Sequence, residues 1–104
     1  MFDLPYTQRP TSTNKFYTKN DLITAVRNDI VGELDAINQY NAHIHSTDNE
    51  LAKRVWTSIK DEERVHVGEL LTLLQKLCPD ELAKLREGQR EVDEIINEIG
   101  MKNC

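Results

Sequence analysis

Apolar residues recur at steps of three or four, or at sums of such steps, along two long segments of the chain. The first stripe comprises Ile23, Val26, Ile30, Ile37 and Ile44. The second comprises Val55, Ile59, Leu70, Leu73 and Leu77. These steps are typical of helices that bury one face, and no segment alternates with the period of two expected of a strand. The pattern therefore predicts an all-α fold.

Capping signals and a proline predict where the helices begin and end. The segment 18–21 (TKND) has the spacing of a capping box, with Asp in place of the usual Glu or Gln, and predicts a helix over about 19–46. The segment 47–50 (TDNE) has the same spacing and predicts a second helix over about 48–77. The short turn between them makes the two helices an antiparallel hairpin.

A third helix is predicted over about 80–98. Pro79 suits the first position of a helix, and acidic residues follow it in the first turn. The apolar face of this helix is weaker, and Gly88 is a candidate kink. The predicted organisation is an extended or flexible N-terminal arm (1–17), one helical domain (18–99) and a short tail (100–104). A domain of this size buries a modest core, which association with a second copy would enlarge.

Charge and cysteine content exclude several classes of protein. The formal net charge is −5, from 18 acidic and 13 basic residues, without a basic cluster that would bind nucleic acid. No stretch approaches the ~20 apolar residues of a membrane span. Asp3 lies where a signal peptide would be basic, so we expect a cytoplasmic protein. Cys78 and Cys104 lack metal-ligand spacing and are predicted to be free thiols.

Three chemically active residues interrupt the apolar stripes. Glu33 lies on the first stripe, and Glu63 and His66 lie three positions apart on the second. Glu33 is about fourteen residues before the turn and Glu63 about sixteen after it, so a rise of ~1.5 Å per residue places both carboxylates at nearly the same height. A carboxylate on a core-facing stripe is costly unless it is neutralised. The residues predict a metal site; the alternative is a polar network with His66, Arg27 or Arg64.

The ligand types indicate which metals would bind. Carboxylates with one imidazole and no thiolate suit iron or manganese better than structural zinc. In helical bundles, a di-iron or di-manganese centre uses one Glu from each of two helices and a Glu-x-x-His from each of the other two. This chain supplies half of that set, because its third helix has no histidine. We therefore predict a homodimer that completes a four-helix bundle around Fe, for which Mn, Zn or Ca could substitute in vitro.

Other polar residues near the three ligands are weaker candidates. Tyr40 lies on the first stripe two turns beyond Glu33, as either a hydroxyl that orients a ligand or a half-buried core residue. Glu62 and Asp35 are candidates for an outer metal site, although a solvated face is the simpler interpretation of both. His43 and His45 are two positions apart, so they point away from each other and cannot share an ion within one helix. Trp56 is interpreted as packing.

The segments 32–40 (GELDAINQY) and 61–70 (DEERVHVGEL) together resemble the encapsulated ferritin family of the ferritin-like/rubrerythrin superfamily. The similarity covers about residues 17–97, including the turn at 77–80 and the region of Gly88. The resemblance implies a ferroxidase centre between two chains, with Glu33, Glu63 and His66 as iron ligands and Tyr40 as the nearby tyrosine.

The resemblance also implies partners and a location. Members of this family oxidise Fe(II) to Fe(III) with dioxygen, assemble into open rings that are often decamers, and deliver iron to an encapsulin nanocompartment in the cytoplasm. Some members carry an acidic residue and a tryptophan at an outer metal site, where this sequence has Gly32 and Gln39. Only Asp35 of that acidic pattern remains.

Three functions are compatible with these residues. The first is a ferroxidase for iron storage or detoxification. The second is a rubrerythrin-like di-iron peroxidase, which is disfavoured because the chain has no rubredoxin-like CxxC pair. The third is a non-enzymatic dimerisation module in which a buried Glu/His network determines the register of the helices.

Overall fold

A computed structural model describes residues 16–100 of the chain. It contains three helices, α1 (Lys19–Ile44), α2 (Glu50–Leu77) and α3 (Pro79–Ile99), and no strand within the described residues. The all-α prediction is therefore confirmed. The predicted arm lies mostly outside the described residues, as do Cys104 and most of the predicted tail. No helix among the described residues is long and apolar enough to cross a membrane.

The first capping box forms as predicted. The Asp21 backbone N–H donates to Thr18 Oγ1 at 3.1 Å, and the Thr18 backbone N–H donates to Asp21 Oδ2 at 3.1 Å. The two side chains therefore satisfy two donors that the first turn of a helix leaves without partners. Aspartate at this position also places a negative charge at the positive end of the helix dipole.

The prediction of a second capping box at residues 47–50 is wrong in detail. Asn49 is the N-cap of α2, and its Oδ1 accepts from the Ala52 backbone N–H at 2.9 Å. Thr47 Oγ1 instead accepts from the Asn49 backbone N–H at 3.1 Å, which stabilises the turn before the helix. Asparagine caps at least as well as threonine. The turn is longer than predicted because α1 ends at Ile44, so the chain needs residues 45–49 to reverse direction.

The third helix is one residue longer at each end than predicted. Pro79 occupies its first turn, and its N-cap, Cys78, makes no side-chain capping bond. The helix continues through Gly88 without a break. It ends at Gly100, whose φ of 68° lies in the left-handed region that glycine adopts without strain. Cys78 is a half-buried free thiol.

The packing is concentrated in the α1–α2 hairpin, and its core is thin. α3 contacts α2 less extensively than α1 does, and an ion pair between Arg27 and Glu81, at 2.6 Å, joins α1 to the first turn of α3. Val26 and Leu74 are the buried hydrophobic residues within the described part, while most other residues of the two stripes are only half-buried. Two helices cover each other on one side only, so the hairpin leaves apolar surface for a further partner.

Candidate metal centre

The structure brings the three predicted ligands together across the hairpin. Glu33 projects from α1, and Glu63 and His66 project from α2. One ligand atom of each residue lies within 4.8 Å of the others. His66 Nδ1 is 3.7 Å from Glu33 Oε1 and 3.6 Å from Glu63 Oε2. The residue count predicted that the two carboxylates lie at nearly the same height along the hairpin, and the structure places them close together.

The two carboxylates are shielded from solvent more than the imidazole is. The exposed fractions are 15% for the Glu33 side chain, 18% for Glu63 and 47% for His66. Both contacts from His66 are longer than an ordinary hydrogen bond, so the imidazole only partly compensates the two acids. The cluster therefore concentrates negative charge at a site that is open on its histidine side.

The two arginines that could have neutralised this cluster bind elsewhere. Arg27 pairs with Glu81, and Arg64 Nη1 is 3.4 Å from Asp61 Oδ1, one turn earlier on α2. The hydrogen bond from Arg27 to Glu81, and their opposite charges, raise the pKa of the Arg27 guanidinium above its ordinary value. The alternative of an arginine-paired polar network is therefore not seen among the described residues.

The donor set fits a hard or borderline cation. Two carboxylate oxygens and one imidazole nitrogen are ligands that iron and manganese accept, and no cysteine of the described residues belongs to the cluster. Three protein ligands leave coordination positions open for a second ion or a small molecule. A cation between the carboxylates would also remove the electrostatic cost of keeping two acids close together on a shielded face.

The remaining candidate residues lie outside this cluster. Tyr40 is half-buried on α1, and seven residues of helix place it ~10.5 Å along the axis from Glu33. It forms no hydrogen bond with the described residues. Asp35 and Glu62 are exposed and do not belong to the group of three ligands. Their roles as ligands of an outer site stay predictions.

The two other histidines of the described chain have separate partners near the turn. The His43 ring packs against Trp56, with ring centroids 5.0 Å apart and planes tilted by 39°. His45 Nδ1 lies 2.7 Å from the Asn41 carbonyl oxygen one turn earlier. That the two histidines do not share an ion stays a prediction. Sequence reasoning missed the His43–Trp56 contact, for which the only signal was that an antiparallel register with position 33 opposite 66 also brings position 43 opposite 56.

An antiparallel helical hairpin that directs two glutamates and a histidine into one cluster defines a ferritin-like domain. Comparison with known proteins agrees with this class. The structure superposes on the crystal structure of an encapsulated ferritin domain from Pyrococcus furiosus with a TM-score of 0.80 and 32% sequence identity, covering 93% of this chain and 97% of the other. The chain belongs to the encapsulated ferritin family.

Two curated proteins are similar in sequence. A ferritin-like-encapsulin shell fusion protein from Pyrococcus furiosus is 38% identical over 88 residues, or 83% of this chain. The encapsulin nanocompartment cargo protein EncC from Myxococcus xanthus is 43% identical over 70 residues, or 67% of this chain. The chain spans 26% and 54% of the lengths of these two relatives. No family model matches the sequence.

Proposed function

We propose that this protein is a ferroxidase that binds Fe(II) at a centre shared by two chains and oxidises it to Fe(III) with dioxygen. The observation that carries the proposal is the cluster of Glu33, Glu63 and His66, whose ligand atoms lie within 4.8 Å of one another, with no arginine or lysine partner among residues 16–100. A cation bound between the two shielded carboxylates would compensate them more fully than the long contacts from His66 do.

A second copy of the chain completes the centre. One hairpin supplies two carboxylates and one imidazole, which is half of the ligand set of a bundle that holds two metal ions. A two-fold axis beside the cluster would bring the same three residues from the second copy and would cover the half-buried stripes of both hairpins. Ligand completion and burial of apolar surface therefore favour the same dimer.

The side chains have distinct tasks in the reaction. Each Fe(II) substrate ion gives up one electron, so two ions reduce one dioxygen to hydrogen peroxide when two protons are supplied. The carboxylates of Glu33 and Glu63 stabilise the more highly charged Fe(III) product, which lowers the cost of oxidation. Tyr40 is proposed to supply a hydroxyl group near the centre that orients a ligand.

We further propose that the protein works with an encapsulin shell in the cytoplasm. Both curated relatives carry names that refer to encapsulin, one as a fusion to the shell and the other as a cargo. A small helical assembly encloses little volume for mineral, so Fe(III) needs a separate compartment for storage. We expect a homodimer that assembles into a larger ring, as the family resemblance implies.

Anaerobic iron binding followed by oxidation tests the proposal. Purified protein is titrated with Fe(II), iron per chain and native mass are measured, and ferric absorbance is followed after dioxygen or peroxide is admitted. We expect about one iron per chain and oxidation by dioxygen. Glu63→Ala and His66→Ala should abolish the oxidation, while Glu91→Ala, a change of an exposed glutamate on α3, should not.

Each other result selects a different function. Faster oxidation with peroxide than with dioxygen would indicate a rubrerythrin-like peroxidase. Absence of stoichiometric iron binding, with the dimer unchanged, would indicate a non-enzymatic dimerisation module. Full activity in both Glu63→Ala and His66→Ala would show that the site has been assigned to the wrong residues.

A further inference from the structure

Tyr40 and Trp56 occupy matching positions on the two helices of the hairpin. Tyr40 lies seven residues after Glu33 on α1, and Trp56 lies seven residues before Glu63 on α2. Seven residues make about two helical turns, so each aromatic side chain shares a helix face with a ligand and lies ~10.5 Å from it along the axis. Because the helices are antiparallel, both rings lie on the turn side of the metal cluster, and both are half-buried.

Two contacts show how the helices are aligned. His66 lies against Glu33, and ten residues nearer the turn on each helix the Trp56 ring packs on the His43 ring, with centroids 5.0 Å apart. In this alignment Tyr40 is opposite position 59, three residues from Trp56, or ~4.5 Å along the axis. Tyr40 therefore lies between the cluster and Trp56 in height along the hairpin.

The pair of Trp56 and His43 combines two chemical properties. An indole ring gives up one electron more readily than most side chains, and Trp56 is the single tryptophan of the chain. An oxidised indole is a strong acid at Nε1, so it is stabilised as a neutral radical when a neighbouring group takes the proton. His43 brings an imidazole, whose nitrogen can accept a proton, to this ring and is itself exposed to solvent.

We propose that Trp56 is a protective electron donor to the iron centre, with Tyr40 as the step between them and His43 as the proton acceptor. This inference rests on the proposed function, because oxidation of Fe(II) by dioxygen leaves hydrogen peroxide beside further Fe(II) substrate. One Fe(II) gives an electron to the peroxide, whose O–O bond breaks to yield hydroxide and a hydroxyl radical. One electron from Trp56 and one proton from solvent convert that radical to water, while the indole Nε1 proton passes to His43.

A further Fe(II) ion restores the indole. It gives one electron to the Trp56 radical, and a proton returns to Nε1. In total, two Fe(II) ions and two protons convert one hydrogen peroxide to two water molecules. Without Trp56, the hydroxyl radical would oxidise the side chains nearest to it, which are the ligands. Cys78 can also be oxidised, but it lies fifteen residues from Glu63, or ~22 Å along the axis, too far to compete.

Oxidation of the single tryptophan is the direct measurement. The full-length protein is loaded anaerobically with about one Fe(II) per chain and treated with hydrogen peroxide. Oxygen added to Trp56 and to Tyr17 is then measured by peptide mass spectrometry. Tyr17 is 59% exposed and monitors radicals that arrive from solvent. In wild type we expect Trp56 to be oxidised severalfold more than Tyr17, and in Glu63→Ala, which lacks a ligand, this preference should disappear.

Two substitutions separate the roles of the ring pair. Trp56→Phe keeps an aromatic ring that is hard to oxidise, so the initial rate of iron oxidation by dioxygen should be unchanged, while the activity that survives peroxide treatment should fall severalfold. His43→Phe keeps a ring against Trp56 but cannot accept a proton. After rapid mixing with peroxide, its optical spectrum should show the indole cation radical in place of the neutral radical. Tyr17→Phe is the control and should match wild type in both measurements.

Several outcomes would overturn the role of Trp56. They are the same preference for Trp56 in wild type and Glu63→Ala, undiminished peroxide resistance in Trp56→Phe, or a wild-type radical spectrum in His43→Phe. Iron oxidation by dioxygen is measured on the same preparations. Iron oxidation by wild type without oxidation of Trp56 would reject this inference alone, whereas absence of iron oxidation in wild type would reject the proposed function and this inference with it.

Discussion

Replacement of Glu33 by glutamine separates a metal site from a buried polar network. The substitution keeps the shape of the side chain and removes its charge. In metal-free protein, we expect Glu33→Gln to be more stable than wild type, because it relieves the repulsion between two shielded carboxylates. A polar network that determines helix register predicts the opposite, since it would lose a partner that His66 needs.

The size of the effect follows from the geometry. At 4.8 Å, the upper limit of the separation between the two carboxylate oxygens, two unit charges repel by about 0.9 kcal/mol in water and about 3.5 kcal/mol at an effective dielectric constant of 20. Water reaches the cluster through the side on which 47% of His66 is exposed. We therefore expect the lower value, about 1 kcal/mol, which corresponds to a rise in Tm of about 4–8 °C for a domain of this size.

Metal reverses the order of stability. A cation bound at 100 times its Kd stabilises the folded protein by about 2.7 kcal/mol. Wild type should gain this amount from Mn(II) or anaerobic Fe(II), whereas Glu33→Gln should gain much less because it lacks one ligand. Thermal unfolding is followed by circular dichroism at pH 8 and at one fixed chain concentration, since association of the chains would make Tm depend on concentration.

A matched control and a clear contrary result complete the test. Glu91→Gln makes the same chemical change at an exposed glutamate on α3 and should alter neither the metal-free Tm nor the gain from metal. The reasoning would be refuted if Glu33→Gln lowered the metal-free Tm, or if wild type and Glu33→Gln gained equally from Mn(II).

Two further predictions concern the fold. Leu74 is 4% exposed, so Leu74→Ala should lower the free energy of unfolding by about 2–3 kcal/mol, as measured by urea denaturation. This is near the low end for core leucines because the surrounding core is thin. An effect under about 1 kcal/mol would show that the core lies elsewhere. Arg27→Met should reduce stability by less than about 1 kcal/mol because the pair is half exposed, while amide hydrogen exchange in the first turn of α3 should become faster. Glu81 raises the pKa of Arg27, so this pair is present below the ordinary arginine pKa and is lost only as pH rises through the still higher folded-state pKa. The stability difference should therefore be constant between about pH 6 and pH 9, and a marked slope there would contradict it.

Local chemistry made the helices and the ligand cluster predictable. The period of the stripes identifies α1 and α2. The capping box of Thr18 and Asp21 lies within one turn, so its hydrogen bonds depend on no distant residue. Glu33, Glu63 and His66 could be placed together because a short turn makes the two helices antiparallel and a constant rise per residue sets their heights. The turn itself was less predictable, since both Thr47 and Asn49 are good caps and the end of α1 decides between them.

Long-range contacts decided what the chain alone left open. The sequence offered Arg27 and Arg64 as partners for the acidic cluster, and only the fold shows that Arg27 reaches Glu81, 54 positions away. The direction of α3 and the contact between His43 and Trp56 likewise depend on how separate helices pack. Helical periodicity follows from the backbone of each segment. The partner of a charged side chain depends on which surfaces meet, and that is settled only when the helices assemble.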